Sequence, residues 1–231
     1  MMTQFEKIYE QVSERMLRAC QAAGRRRDEV RLVAVSKYVP VERMQEAYTL
    51  GIRIFGENHA QELHEKQTFF EQEGCEPHFI GHLQTNKLKY VCGFASLMES
   101  VDSLHLAEAI QKRSETLGIV SDVLIQVNIG DETQKGGVAV SELERLREAV
   151  EACEHLRLRG LMCVPPALSP EKTRPYFARM RTLFETMQRE DRSPWLDTLS
   201  MGMSHDYEVA IMEGATQVRV GSALFGARDH K

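Results

Sequence analysis

The stretch Val30-Arg31-Leu32-Val33-Ala34-Val35-Ser36-Lys37 decides the fold. Val30, Leu32, Val33, Ala34 and Val35 form a near-continuous apolar run that does not alternate with polar residues. A strand with one wet face alternates; an unbroken run is what a parallel strand covered on both faces requires. The run closes on a lysine, and Pro40 then precedes a helical stretch that sets Met44, Ala47 and Tyr48 on one face. A strand answered by a helix is the unit of an α/β protein.

Working outward, the unit repeats. Strand candidates follow at Arg53–Phe55, His78–Ile80, Leu97–Ser100, Asp122–Asn128, Leu158–Met162, Leu196–Leu199 and Gln217–Val220. Helical patterns separate them. Asp102 or Ser103 can cap a helix carrying Leu106, Ala109, Ile110 and Leu117, and Ser141 with Glu144 reads as a capping box ahead of Leu143, Leu146 and Val150. The helix of Phe177, Met180, Phe184 and Met187 starts at Ser169-Pro170 or at Thr173, and Pro175 points to the later start. Upstream, Thr3 and Glu6 form a capping box before Phe5, Ile8, Tyr9, Val12, Met16 and Ala19; Gly24 and Arg25–Arg27 end that helix, the arginines reading as a solvated helix end. Eight strands alternating with helices behind an extra N-terminal helix fit a single α/β domain over residues 1–231, a (β/α)8 TIM-type barrel. A doubly wound open sheet is the alternative; it usually takes fewer strands, and no Gly-x-Gly-x-x-Gly follows the first one.

Composition narrows the function. The chain has 231 residues and a net charge of −5 with both signs interspersed, so it offers no basic field for nucleic acid and no polybasic run for a membrane surface. No apolar stretch approaches a bilayer span, and the residues from Met1 to Glu10 do not read as a secretory signal. The five cysteines are odd in number, dispersed and without a Cys-x-x-Cys pair, which predicts reduced thiols in a cytoplasmic protein rather than disulfides or a zinc site.

Lys37 leads the candidate chemistry. The C-terminal ends of barrel strands face the site, and alternation puts Val33, Val35 and Lys37 on one face. Partial desolvation there favours the neutral amine, which attacks aldehydes to form Schiff bases; the plain alternative is a lysine that snorkels to water. Ser200-Met201-Gly202-Met203-Ser204-His205-Asp206 follows the seventh strand, and Ser204 suits a helix N-cap or a phosphate ligand. Val218-Arg219-Val220-Gly221-Ser222 ends the eighth; Gly221 admits close backbone approach and Ser222 can donate to an oxyanion. Alone, the Ser204 stretch reads first as a capping turn, but the loops after strands seven and eight are the common phosphate site of such barrels. If Val218 and Val220 face the helices, Arg219 points inward and needs an acceptor: a carboxylate, or the pyridine nitrogen of a cofactor. An arginine there would leave that nitrogen unprotonated and weaken the electron sink. Asn58, in Phe55-Gly56-Glu57-Asn58, either caps the next helix with Gln61 or reaches a cofactor. The stretch from His78 to Lys87 is a lining candidate in which His82 and Lys87 have no assigned role; His78 and His82 do not read as a metal pair. Asp131 to Lys135 reads as a mobile loop hinged at Gly136-Gly137.

Ala34-Val35-Ser36-Lys37, Phe55-Gly56-Glu57-Asn58, His78-Phe79-Ile80-Gly81, Leu83-Gln84-x-Asn86-Lys87, Gln126-Val127-Asn128-Ile129, Gly160-Leu161-Met162, Ser200-Met201-Gly202-Met203-Ser204-x-Asp206 and Val218-Arg219-x-Gly221-Ser222 together resemble the pyridoxal phosphate homeostasis proteins of the YggS/PROSC type, in order and over nearly the whole chain. The resemblance implies the alanine racemase N-terminal barrel (fold type III) without a C-terminal β-domain. It implies pyridoxal 5′-phosphate (PLP) on Lys37, its phosphate at Ser204, Gly221 and Ser222, and Arg219 at the pyridine nitrogen. It also implies storage and delivery of PLP, with apo PLP-dependent enzymes as partners, and little or no catalysis. His59-Ala60 stands where such proteins often have Tyr-Val, and Glu99 where His is frequent; both read as rim or helix-start positions that leave the anchors alone. The alternative is a PLP-dependent amino-acid racemase of low activity. Racemisation needs two bases, and in alanine racemases the second is a tyrosine supplied by an added β-domain of a partner subunit. The chain ends at Lys231, soon after the eighth strand, so a carrier and a monomer are the expectation. A sugar-phosphate barrel enzyme would explain the phosphate loops but not Lys37 with Arg219.

Overall fold

The computed structural model describes residues 2–132, 134–190 and 194–226. Eight parallel strands close a barrel in chain order: β1 (Arg31–Val35), β2 (Ile54–Glu57), β3 (Glu76–Phe79), β4 (Leu97–Val101), β5 (Ser121–Val127), β6 (Leu156–Cys163), β7 (Thr198–Ser200) and β8 (Gln217–Val220). The seam pairs β1 with β8, Val33 opposite Arg219. The helices are α1 (Gln4–Ala22), ahead of the barrel, then α2 (Val41–Thr49), α3 (Ala60–Glu65), α4 (Gln67–Phe70), α5 (Leu88–Val91), α6 (Leu104–Leu117), α7 (Leu143–Glu151), α8 (Pro170–Glu190), α9 (Tyr207–Met212) and α10 (Ser222–Phe225). The extra helix α1 opens on the Thr3–Glu6 capping box and buries Phe5, Val12, Met16, Ala19 and Cys20, with Phe5 stacked on Phe225 at 5.6 Å.

Three local readings differ from the structure. Ser141 caps nothing: the chain enters α7 through a 3₁₀ turn, Val140–Glu142, and Glu144 turns to Arg147. The helix α8 starts early, at Pro170, with Pro175 inside it. Proline suits the first helical position, whereas Pro175 lies past the first turn and has no N–H to offer the Glu171 carbonyl. The arginines after α1 are not merely solvated, since Arg25 donates to the Ile211 and Ala215 carbonyls at 3.0 and 2.8 Å, tying α1 to the end of α9.

Alternation along the strands sorts the core. Ala34, Phe55, Phe79, Ile125, Leu161, Leu199, Val218 and Val220 face outward into the main apolar cluster, packed beneath the helices. Leu97, Leu124 and Met162 form a separate small cluster inside the barrel. Polar side chains share the interior: His78, Glu99, Ser200, Gln217 and Arg219 are all buried there.

Candidate functional site

A cavity of about 760 Å³ opens at the C-terminal end of the strands, and Lys37, Asn58, Ser204, Arg219, Gly221 and Ser222 all line it. All six residues nominated as cofactor contacts therefore meet in one place. Val35, Ile80, Val164 and Pro165 add apolar wall.

Each polar group has a local cause. Lys37 sits in the turn that follows β1, half-buried. Asn58 follows β2 and does not cap α3; His59 occupies the cap position without a side-chain capping bond. The Asn58 Oδ1 is instead buried and unpartnered at the cavity wall. Ser204 Oγ accepts the backbone N–H groups of Gly221 and Ala223, both at 3.1 Å, so one hydroxyl joins the loops after β7 and β8. Asp206 Oδ1 accepts the Met203 N–H at 2.7 Å and holds that loop. Burial pushes the Asp206 carboxyl up, while the Met203 amide and the Arg219 charge pull against the rise.

Arg219 points inward as alternation predicts, because Val218 and Val220 are taken up by the helical layer. Its Nη1 donates to Ser200 Oγ at 2.6 Å and its Nη2 to the Cys163 carbonyl at 2.8 Å. A guanidinium has more donors than these two bonds use. Glu99 Oε2 lies 3.9 Å from Nη1, so a carboxylate partner and a place on the cavity wall hold together.

Glu99 corrects the sequence reading. It is not at the rim but fully buried inside the barrel, the third of five residues in β4. His78 Nδ1 stands 2.8 Å from its Oε1, Gln217 Nε2 donates to the same oxygen at 2.7 Å, and Ser200 Oγ donates to Oε2 at 2.6 Å. Burial pushes this carboxyl up, but the hydrogen bond and charge of His78, the Arg219 charge and the Ser200 bond outweigh it, and the net direction is down. The signal was in the sequence: Glu99 shares alternation parity with Leu97, which faces the interior.

Of the stretch from His78 to Lys87, only Ile80 lines the cavity. His78 is buried against Glu99, whereas His82 is exposed and 3.8 Å from Asp102. Lys135, which carried no specific role, does line the cavity; it donates to the Pro165 carbonyl at 2.8 Å and pairs with Glu132 at 2.6 Å. Thr133 lies outside the described residues. Asn128 ties the loop back, with two bonds to the Glu132 backbone at 2.8 and 3.1 Å.

A family model described as the alanine racemase N-terminal domain matches residues 10–229. A pyridoxal phosphate homeostasis protein of Aquifex aeolicus is 47% identical over 220 residues, 95% of this chain and 96% of that one. The structure of PipY from Synechococcus elongatus PCC7942 with PLP bound superimposes with a TM-score of 0.80 at 33% identity, covering 93% of this chain and 100% of that one. An alanine racemase of Clostridium difficile 630 aligns with a TM-score of 0.70 at 15% identity, over 95% of this chain and 57% of its own, and shares the fold alone.

Proposed function

Because this chain belongs to the pyridoxal phosphate homeostasis family, we propose that it binds PLP, attaches it to Lys37 as a Schiff base, and stores and delivers it to apo PLP-dependent enzymes as a cytoplasmic monomer. The observation that carries this reading is the single cavity gathering the Lys37 amine, the Arg219 guanidinium and the joined loops of Ser204, Gly221 and Ser222.

The residues present fit the group. Asn58 Oδ1 is a buried acceptor awaiting a donor at the cavity wall. The Val35, Ile80 and Val164 side chains supply apolar surface for a flat ring. The Ser204 and Ser222 hydroxyls would supply donors to a phosphate at the mouth, beside Gly221, which adds no side chain there. When bound, PLP supplies an aldehyde carbon open to an amine. Lys37 provides that amine, and Arg219 would hold the ring nitrogen by donating to it, which keeps a cation where an acid would favour carbanion chemistry. Storage rather than turnover is the consequence. No helix among the described residues is long and apolar enough to cross a membrane.

Pyridoxal, which lacks the phosphate, tests the reading by absorbance titration against PLP. Charge-assisted hydrogen bonds contribute roughly 1.5–3 kcal/mol each, so losing several should weaken binding by orders of magnitude. Equal affinities for pyridoxal and PLP would remove the phosphate cradle from the proposal.

A further inference from the structure

The turn that carries Lys37 is gripped on both sides by one buried cluster. The helix α3 stops at Glu65, and the next side chain, Lys66, turns inward. Its ammonium donates to the Ser36 carbonyl at 2.8 Å, to Glu57 Oε1 at 2.8 Å and to Glu62 Oε1 at 2.7 Å. The Ser36 hydroxyl donates to the same Glu57 oxygen at 2.7 Å. On the other side of Lys37, the Tyr38 backbone N–H donates to Glu62 Oε1 at 2.5 Å. Ser36 is thus fastened to Lys66 and Glu57, and Tyr38 to Glu62, three side chains that the Lys66 ammonium joins.

The arrangement is costly for a merely structural one. Tyr38 has φ 61°, the left-handed region that side chains other than glycine seldom enter. Tyr38 as a residue is 60% exposed, so burial does not hold the backbone there. Glu57 is fully buried; burial pushes its carboxyl up, against the pull of the Lys66 charge and hydrogen bond and of the Ser36 hydroxyl. One ammonium serves two carboxylates, and Glu57 Oε2 and Glu62 Oε2 are buried with no partner. Buried ion clusters of this kind give little net stability over apolar packing, and backbone strain persists where surrounding structure enforces a geometry that function uses.

We propose that Lys66 is a positioning residue for Lys37: with Glu57 and Glu62 it locks the turn from Ser36 to Tyr38 so that the Lys37 amine enters the cavity in line with the aldehyde. The inference rests on Lys37 being the attachment point. In that step the neutral amine adds to the aldehyde carbon, and the carbonyl oxygen leaves as water with the two amine protons. A C=N bond remains. Its rate depends on alignment, where about 1 Å of misplacement can cost on the order of 10²-fold.

The test compares Lys66→Met and Glu62→Ala with the unaltered protein. Growth of the imine band after mixing with PLP gives the rate of the covalent step. Titration with pyridoxine 5′-phosphate, which carries an alcohol in place of the aldehyde, gives binding without the bond. The expected result is an imine rate lowered roughly ten- to a hundredfold in Lys66→Met, and less in Glu62→Ala, with pyridoxine 5′-phosphate affinity held within about twofold. Should Lys66→Met fail to fold, Glu62→Ala decides alone, since Glu62 sits nearer the surface. An unaltered imine rate in the folded variants overturns the proposal. So does a loss of pyridoxine 5′-phosphate affinity in step with the rate, which would mark a general structural role. Absence of any imine in the unaltered protein would remove the reading of Lys37 itself.

Discussion

Arg219 and Glu99 are opposite charges 3.9 Å apart, one 3% exposed and the other not at all, joined through the Ser200 hydroxyl. Removing one member of a buried pair leaves an uncompensated charge and costs roughly 3–5 kcal/mol. Arg219→Gln and Glu99→Gln should each destabilise on that scale, and the double variant should cost clearly less than their sum in urea denaturation. Strict additivity would show that the two act independently. The pair also has a pH signature. The folded carboxyl of Glu99 lies below its ordinary value of 4.5. Its contribution is therefore complete above that value and is lost as the pH falls through the lower folded value. Acidification below about 4.5 should thus erode the stability of the unaltered protein more steeply than that of Glu99→Gln; parallel slopes would place the acid sensitivity elsewhere. Arg219 was legible in the sequence because two valines flank it in a strand whose outward face must be apolar. The sequence hides Glu99 because a fourth strand that ends at Ser100 puts the charge next to its rim, whereas the strand runs on to Val101. In a closed barrel, alternation outranks polarity, and a charge of inward parity goes inside if partners wait there.

At the scale of elements, the site depends on loops touching loops. Gly81, just past β3, is one contact where a side chain cannot be admitted: a Cβ there would lie 2.1 Å from the Asn58 carbonyl oxygen, a backbone atom with no rotamer to change. Gly81→Ala should cost about 1–3 kcal/mol as overpacking and should weaken PLP binding, because the atoms it pushes belong to Asn58. A lower melting temperature with unchanged PLP affinity would take Asn58 out of the site. The strands themselves were readable from apolar runs, and Gln217–Val220 matches at both ends. What the sequence hid was contact between elements. Lys66 reads as a charge beyond a short amphipathic helix, and nothing local says that its ammonium reaches the Ser36 carbonyl, 30 residues back. Ser141 differs for the opposite reason: the local signal is present, but the entry to α7 takes a 3₁₀ turn that puts Ser141 inside it and Glu142 at the cap position of α7.

On the scale of the whole molecule, closing the sheet leaves each strand dependent on two neighbours and gathers every strand end at one mouth. The Ser204 and Gly221 loops come together with the turn after β1 because β8 pairs back onto β1. Chemistry is where carrier and racemase diverge. If Arg219 stands beside the ring nitrogen as proposed, D-alanine formed from L-alanine by the PLP-loaded protein should accumulate at a rate far below the enzyme median of about 10 s⁻¹. Turnover near that median would make the protein an enzyme. The central claim is narrower, that one amine of this cavity holds PLP. Reduction of the PLP-loaded protein with borohydride, followed by peptide mapping by mass, tests it most directly. One reduced phosphopyridoxyl group is expected, on the peptide bearing Lys37, and it should be lost in Lys37→Ala; a full-yield adduct on another lysine, with Lys37 unmodified, would rule out Lys37 as the attachment point.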